Sequence, residues 1–249
     1  MKRRRSGGLT VCRGVLTVLL SAYSVASSPV VAAAPVPSPA RPVDSVIATL
    51  TQQVVAQSFP ELRGQIIEHR SLASSDVFFE SNLDIGTLMP WHQGPVRYRV
   101  NYNPALFDKG CPPAAIEGIL AHELSHTLDY VQGGIPALLS VVNALRLPQS
   151  NQRYERRTDL QAIFRGYGPG LIAYREWIYP QLTPQELRQK RLTYYTPDEI
   201  VLLMESLTWA KAHDLEVPWK QWLWQNVPTS RKSLLNALQD LKSGMVKRL

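Results

Sequence analysis

The stretch ILAHELSHTLDYVQGG, from Ile119 to Gly134, combines a helical pattern of apolar residues with two histidines four positions apart. Residues four apart in a helix lie on one face, one turn above another. His122 and His126 can therefore bind one metal ion from the same side. Glu123 is rotated by about 100° from His122. This rotation places its carboxylate beside such an ion, where it can act as a base on an activated water.

The other positions of this helix form two stripes. One stripe is apolar and consists of Ile116, Leu120, Leu124 and Val131. The other lies on the opposite side of the helical wheel and consists of Gly118, His122, His126 and Asp129. We expect the first stripe to face the core and the second to form the floor of a cleft. Gly118 would leave room one turn before the first histidine.

Three short segments before this helix, 64–72, 76–82 and 95–103, are rich in β-branched and aromatic residues, which is typical of strands. A helical pattern at 44–59 precedes them. Further helices are predicted at 114–132, 136–146, 152–165, 169–180, 184–192, 197–213 and 229–246. The expected fold is therefore α+β, with a small N-terminal sheet and a helix, then the His122–His126 helix, then a mainly helical C-terminal part.

The N-terminal 34 residues have the layout of a secretory signal: a basic start, an apolar stretch and then small residues. The run 14–34 is also about long enough to span a bilayer, so an uncleaved anchor is the alternative. The segment 35–42 is a proline-rich linker, and 43–249 is expected to form a single domain. We therefore expect an exported protein, periplasmic or secreted, with membrane contact only through the N-terminal segment if that segment is not cleaved.

The net charge of +7 comes mostly from this N-terminal segment. Residues 1–40 hold five of the 27 basic residues and no acidic residue, which leaves 22 basic against 20 acidic residues in the remainder. No basic stripe and no aromatic-basic motif is present, so nucleic-acid binding is not expected. Cys111 is the single cysteine outside the N-terminal segment, and no disulfide is expected.

A catalytic zinc ion usually has three protein ligands and a water. The metzincin pattern does not supply the third ligand here, because Asp129 and Gln132 stand where its glycine and histidine would be. The best candidate is Glu155 in RYERRTDLQAIF, with Asp159 one helical turn later as a hydrogen-bond acceptor for a ligand histidine. A solvated helix face, paired with the neighbouring arginines, is the alternative for these two acids. The other candidates for the third ligand are Asp129, Glu176 and Glu205.

The motif HELSH, followed 29 residues later by ERRTD, resembles the gluzincin metallopeptidases. The resemblance is greatest to the CAAX-prenyl and heat-shock-type proteases and the minigluzincins, and it covers about 96–164. It implies a zincin-like fold and one Zn²⁺ per chain. The implied roles are metal ligand for His122, His126 and Glu155, general base for Glu123, and support of a ligand histidine for Asp159.

The same resemblance implies that a peptide or protein substrate binds in extended form along the strand near 96–103. The developing oxyanion also needs a hydrogen-bond donor, for which the candidates are Tyr167, Tyr174 and His213. The expected function is therefore zinc-dependent peptide-bond hydrolysis. The alternative is a non-catalytic binding or scaffold protein of the cell envelope with a structural or vestigial metal site.

Overall fold

A computed structural model of the chain describes residues 42–72, 77–88 and 92–246, with the backbone alone at 42–43, 135–146 and 245–246. Its strands are β1 (Ile66–Ser71), β2 (Phe79–Leu83) and β3 (Arg97–Tyr102). Its longer helices are α1 (Pro42–Ser58), α2 (Pro113–Arg146), α3 (Pro148–Phe164), α4 (Gly168–Ile178), α5 (Pro184–Thr193), α6 (Pro197–Ala212), α7 (Glu216–Gln225) and α8 (Arg231–Val246). The predicted signal or anchor at 1–34, and the linker as far as residue 41, lie outside the described residues.

The α+β prediction is confirmed: the sheet lies in the N-terminal part and helices follow it. The helix predicted at 152–165 begins earlier, at Pro148, because proline is favoured at the first helical position. The tryptophan-rich helix α7 was not predicted. No described helix is both long and apolar enough to cross a membrane.

The predicted helices 114–132 and 136–146 form one element, α2, that breaks at Gly134. Gly134 has φ 54° and ψ −147°, a conformation that residues with a Cβ adopt only with strain. The break therefore separates the half that carries His122 and His126 from the second half of α2.

The sheet has the order β1-β3-β2, with β1 parallel and β2 antiparallel to β3. The segment near 96–103, along which a substrate strand is expected, is not a sheet edge, because β3 is hydrogen-bonded on both sides. Within the part of the chain that the structure describes, β2 is an end strand and lies against α2. Ser81 on β2 and Thr127 on α2 join the two elements through a 2.9 Å hydrogen bond between their hydroxyls.

The first half of α2 lies at the centre of the molecule. Every residue from Ile119 to Leu128 is buried, so the stripe that carries the histidines is enclosed as fully as the apolar stripe. The stripe that carries the histidines is therefore not an exposed helix face. It packs against α3 and α4, because His122 bonds Asp159 of α3 and Gly118 adjoins Gly170 of α4.

Two glycines set how closely α2 and α4 approach. A Cβ on Gly118 would lie 2.2 Å from the carbonyl carbon of Gly170, and a Cβ on Gly170 would lie 2.5 Å from the backbone oxygen of Ala114. The space expected beside Gly118 is thus occupied by the backbone of α4. This contact brings Arg175, one and a half turns further along α4, against the face of α2 that carries His122.

Cys111 is buried before the start of α2, and burial raises the pKa of its thiol to about 12. Thiol reagents attack the thiolate, so labelling by Ellman's reagent at pH 8 should be at least about 100-fold slower in the folded protein than in urea. In a Cys12→Ser variant, Cys111 is the one thiol that Ellman's reagent can label. Rapid labelling of the folded variant would show that this thiol is accessible and contradict the burial.

Candidate metal centre

Three buried side chains converge between α2 and α3. Nε2 of His122 lies 3.3 Å from Oε2 of Glu155, and Nε2 of His126 lies 3.4 Å from the same oxygen. A tetrahedral metal ion with bonds of 2.0–2.1 Å separates neighbouring ligand atoms by about 3.3 Å. The two distances match that separation, and the three ligand atoms all lie within 4.8 Å of one another. The group could hold a metal ion.

The carboxylate of Glu155 supports this interpretation. Its Oε2 atom is buried and has no hydrogen-bond partner of acceptable geometry among the described residues. Burial acts to raise the pKa of Glu155, but the charges of His126 and His122 outweigh it and hold the pKa well below its ordinary value. A buried, ionised oxygen without a hydrogen bond is costly unless a cation satisfies it.

The second ring nitrogen of His122 orients the ring. Nδ1 donates a 2.8 Å hydrogen bond to Oδ1 of Asp159, so in the neutral ring Nε2 would carry the lone pair that binds a metal, on the side of Glu155. Asp159 is fully buried and accepts three further hydrogen bonds: Nη2 of Arg175 donates to its two oxygens at 3.1 and 3.4 Å, and the backbone N–H of Tyr195 donates at 3.0 Å. Burial acts to raise the pKa of Asp159, but the adjacent guanidinium lowers it overall.

The second ring nitrogen of His126 has an uncharged partner. Nδ1 lies 2.8 Å from the hydroxyl of Tyr154 and 3.4 Å from that of Thr158. The Thr158 hydroxyl donates to the backbone oxygen of Tyr154 at 3.1 Å, so Tyr154 is the principal partner of the ring. The two histidines therefore have different supports, a carboxylate for His122 and a phenol for His126.

The alternative of a solvated face for Glu155 and Asp159 is wrong, because both acids are buried. The neighbouring arginines bind other groups: Arg153 the backbone oxygen of Gln225, Arg156 the carboxylate of Glu199, and Arg157 the carboxylate of Asp129.

The other candidates for the third ligand lie outside the cluster. Asp129 is paired with Arg157 at 3.3 Å, and Glu176 and Glu205 are exposed. Over residues 42–72, 77–88 and 92–246, the one group of histidine, cysteine or acidic side chains arranged to hold a metal is that of His122, His126 and Glu155.

Glu123 is buried beside this group. Burial raises the pKa of its carboxyl, although the two histidines act in the opposite direction. Thr127, one turn later on the same face, is bonded to Ser81, so Glu123 points toward the end strand β2. The carboxyl therefore lies on the side of α2 that faces β2, which is an end strand of the sheet over the described residues.

The three oxyanion candidates lie in different places. Tyr174 is buried on α4, where burial raises the pKa of its hydroxyl, with Arg175 opposing and Glu123 adding to the shift. Tyr167 packs against the main core at the start of α4. His213 is exposed at the end of α6 and stacks on Trp209. Its Nδ1 atom lies 2.8 Å from the backbone oxygen of Trp209. Of these candidates, Tyr174 is the buried one, and it directly precedes Arg175, which binds Asp159.

Sequence reasoning did not identify Tyr154, Arg175 or the backbone of Tyr195 as parts of the centre. Tyr154 had a local signal, because it directly precedes Glu155 and shares a helix face with Thr158. For Arg175 the sequence offered only a weak indication: it is the one basic residue in the largely apolar segment LIAYREWI. The role of Tyr195 depends on a backbone N–H and left no signal.

Comparison of the chain with models of known protein families, with curated proteins and with solved structures found no match.

Proposed function

We propose that this protein is a zinc-dependent metallopeptidase that hydrolyses peptide bonds. The observation that carries the proposal is the convergence of two imidazole Nε2 atoms on one orphaned carboxylate oxygen, with a buried glutamate directly after the first histidine. Two nitrogen ligands and one oxygen ligand suit zinc, and three protein ligands leave a fourth position for water or substrate.

The roles of the side chains follow from this arrangement. His122, His126 and Glu155 would hold Zn²⁺, which supplies, when bound, a water of lowered pKa and polarisation of the scissile carbonyl. Glu123 accepts the proton of the attacking water and then donates it to the leaving amine. Its raised pKa favours both steps, because proton transfer is most efficient when the pKa lies near the working pH.

The structure favours β2 as the binding edge for an extended peptide. A peptide gains main-chain hydrogen bonds by adding a strand to a sheet edge. The sheet order leaves β2 at the end, and the Ser81–Thr127 bond holds it beside the face of α2 that carries Glu123. A substrate paired with β2 would run past the general base, whereas one paired with β3 would have to displace a strand. We further propose that the enzyme acts outside the cytoplasm, as the signal-like N-terminal segment suggests.

One observation favours a second candidate, a non-catalytic binding or scaffold protein with a structural metal. His122, Glu123, His126 and Glu155 are 2–8% exposed, which is the burial expected of a closed structural site. The two candidates differ in the fourth coordination position, which a catalytic site keeps open.

The distinguishing experiment measures hydrolysis of a mixed peptide library by the protein before and after removal of metal with a chelator. A peptidase should lose cleavage with the metal, recover it with one equivalent of Zn²⁺, and bind a hydroxamate at the open position. Stoichiometric zinc with neither cleavage nor hydroxamate binding would overturn the peptidase proposal in favour of the structural site.

A further inference from the structure

The two histidine ligands of the candidate centre have supports of different charge. The ring of His122 donates to the carboxylate of Asp159, whereas Nδ1 of His126 lies 2.8 Å from the phenol oxygen of Tyr154. We propose that Tyr154 is a positioning residue that orients His126 for zinc without adding negative charge. This inference rests on the metal site of the proposed function and not on peptide hydrolysis.

A hydrogen bond between the two rings orients His126. If Nε2 of His126 is a ligand, its Nδ1 carries the proton and donates to the Tyr154 hydroxyl, 2.8 Å away. Tyr154 and Tyr130 are both buried, in a cluster with Leu83 and Tyr98 that holds the Tyr154 ring in place. The orientation of His126 is thus fixed by a phenol that is itself held by packing in the core.

The charges around the site explain why a phenol, and not a carboxylate, lies beside Nδ1 of His126. The carboxylates of Glu155 and Glu123 together can balance a dication, and Asp159 is already balanced by Arg175. A further carboxylate against His126 would leave the buried centre with an excess negative charge, which is costly in a low-dielectric interior. A phenol accepts the Nδ1 proton and adds no charge.

The test compares Tyr154→Phe with a matched control, Tyr102→Phe. Tyr102 is also fully buried and also donates to a side chain, that of Asp44, but it lies on β3 away from the histidines. Three quantities are measured for each protein: the melting temperature without metal, the Kd for Zn²⁺ by competition with a chromophoric chelator, and the visible spectrum of the Co²⁺ form.

Tyr154→Phe should weaken zinc binding by about 10-fold or more and change the Co²⁺ spectrum, while Tyr102→Phe leaves both unchanged. Equal zinc affinity in Tyr154→Phe and wild type would overturn the inference and leave the metal site standing. Absence of zinc binding by the wild type would overturn both. If Tyr154→Phe does not fold, NMR of the histidine rings in the wild-type zinc form decides: a protonated Nδ1 of His126 close to the Tyr154 ring supports the inference, and zinc bound through Nδ1 of His126 overturns it.

Discussion

Replacement of Glu123 by glutamine should leave zinc bound and reduce peptide hydrolysis by about two to four orders of magnitude. Glutamine has nearly the same shape, so the buried space beside His122 and His126 remains filled. It cannot accept the proton of the attacking water, and the general-base step is lost. The three ligand atoms belong to other residues, so zinc content should stay at one per chain.

The measurement is the rate of cleavage of a peptide that the wild type hydrolyses, with zinc content determined on the same samples. Glu205→Gln is the control, because Glu205 is exposed on α6 and should tolerate the change. Undiminished cleavage by Glu123→Gln would remove Glu123 as the base. Loss of zinc would show instead that Glu123 helps to hold the metal.

Replacement of Gly118 by alanine should destabilise the fold by about 3 kcal/mol or more, because the added Cβ would lie 2.2 Å from the backbone of Gly170. Neither neighbouring backbone can move aside without separation of α2 from α4. Such a separation would also draw Arg175 away from Asp159, so zinc affinity should fall together with stability. Thermal unfolding is the measurement, and a loss of this size lowers the melting temperature by roughly 6–12 °C in a chain of this length.

Gly244→Ala provides the matched control for this change. Gly244 lies in α8 with open space around its Cβ position, so the same substitution should be neutral or stabilise by about 0.5 kcal/mol. A melting temperature for Gly118→Ala equal to that of Gly244→Ala would mean that the two helices do not touch at the glycines.

The sequence predicted those parts of the site that depend on local spacing. His122, Glu123 and His126 follow from the geometry of one helix, and the pair Glu155 and Asp159 from that of another. The contact between the two helices is long-range, so spacing along the chain left Asp129, Glu176 and Glu205 as alternatives to Glu155 for the third ligand. Tyr154 and Arg175 were not predicted, because their roles depend on how α2, α3 and α4 pack together, and local spacing does not reveal this.

The fold, too, could be predicted only as far as local patterns reach. The alternation of apolar and polar side chains identified the segment 95–103 as a strand. This alternation does not reveal the order of strands in the sheet, and so the central strand was taken for an edge. The stripe of Gly118, His122 and His126 was correctly identified as a distinct face of the helix. Its polarity suggested exposure, whereas the structure satisfies that polarity with buried partners from α3 and α4.

The central claim, a zinc centre of two histidines and Glu155, is tested most directly by the zinc content of wild type, Glu155→Gln and Asp129→Asn after dialysis against a weak chelator. We predict one zinc per chain in the wild type and in Asp129→Asn, and a large loss in Glu155→Gln, because the amide cannot replace the ionised oxygen that faces both imidazoles. A wild type without zinc, or a Glu155→Gln variant that retains it fully, would contradict the account.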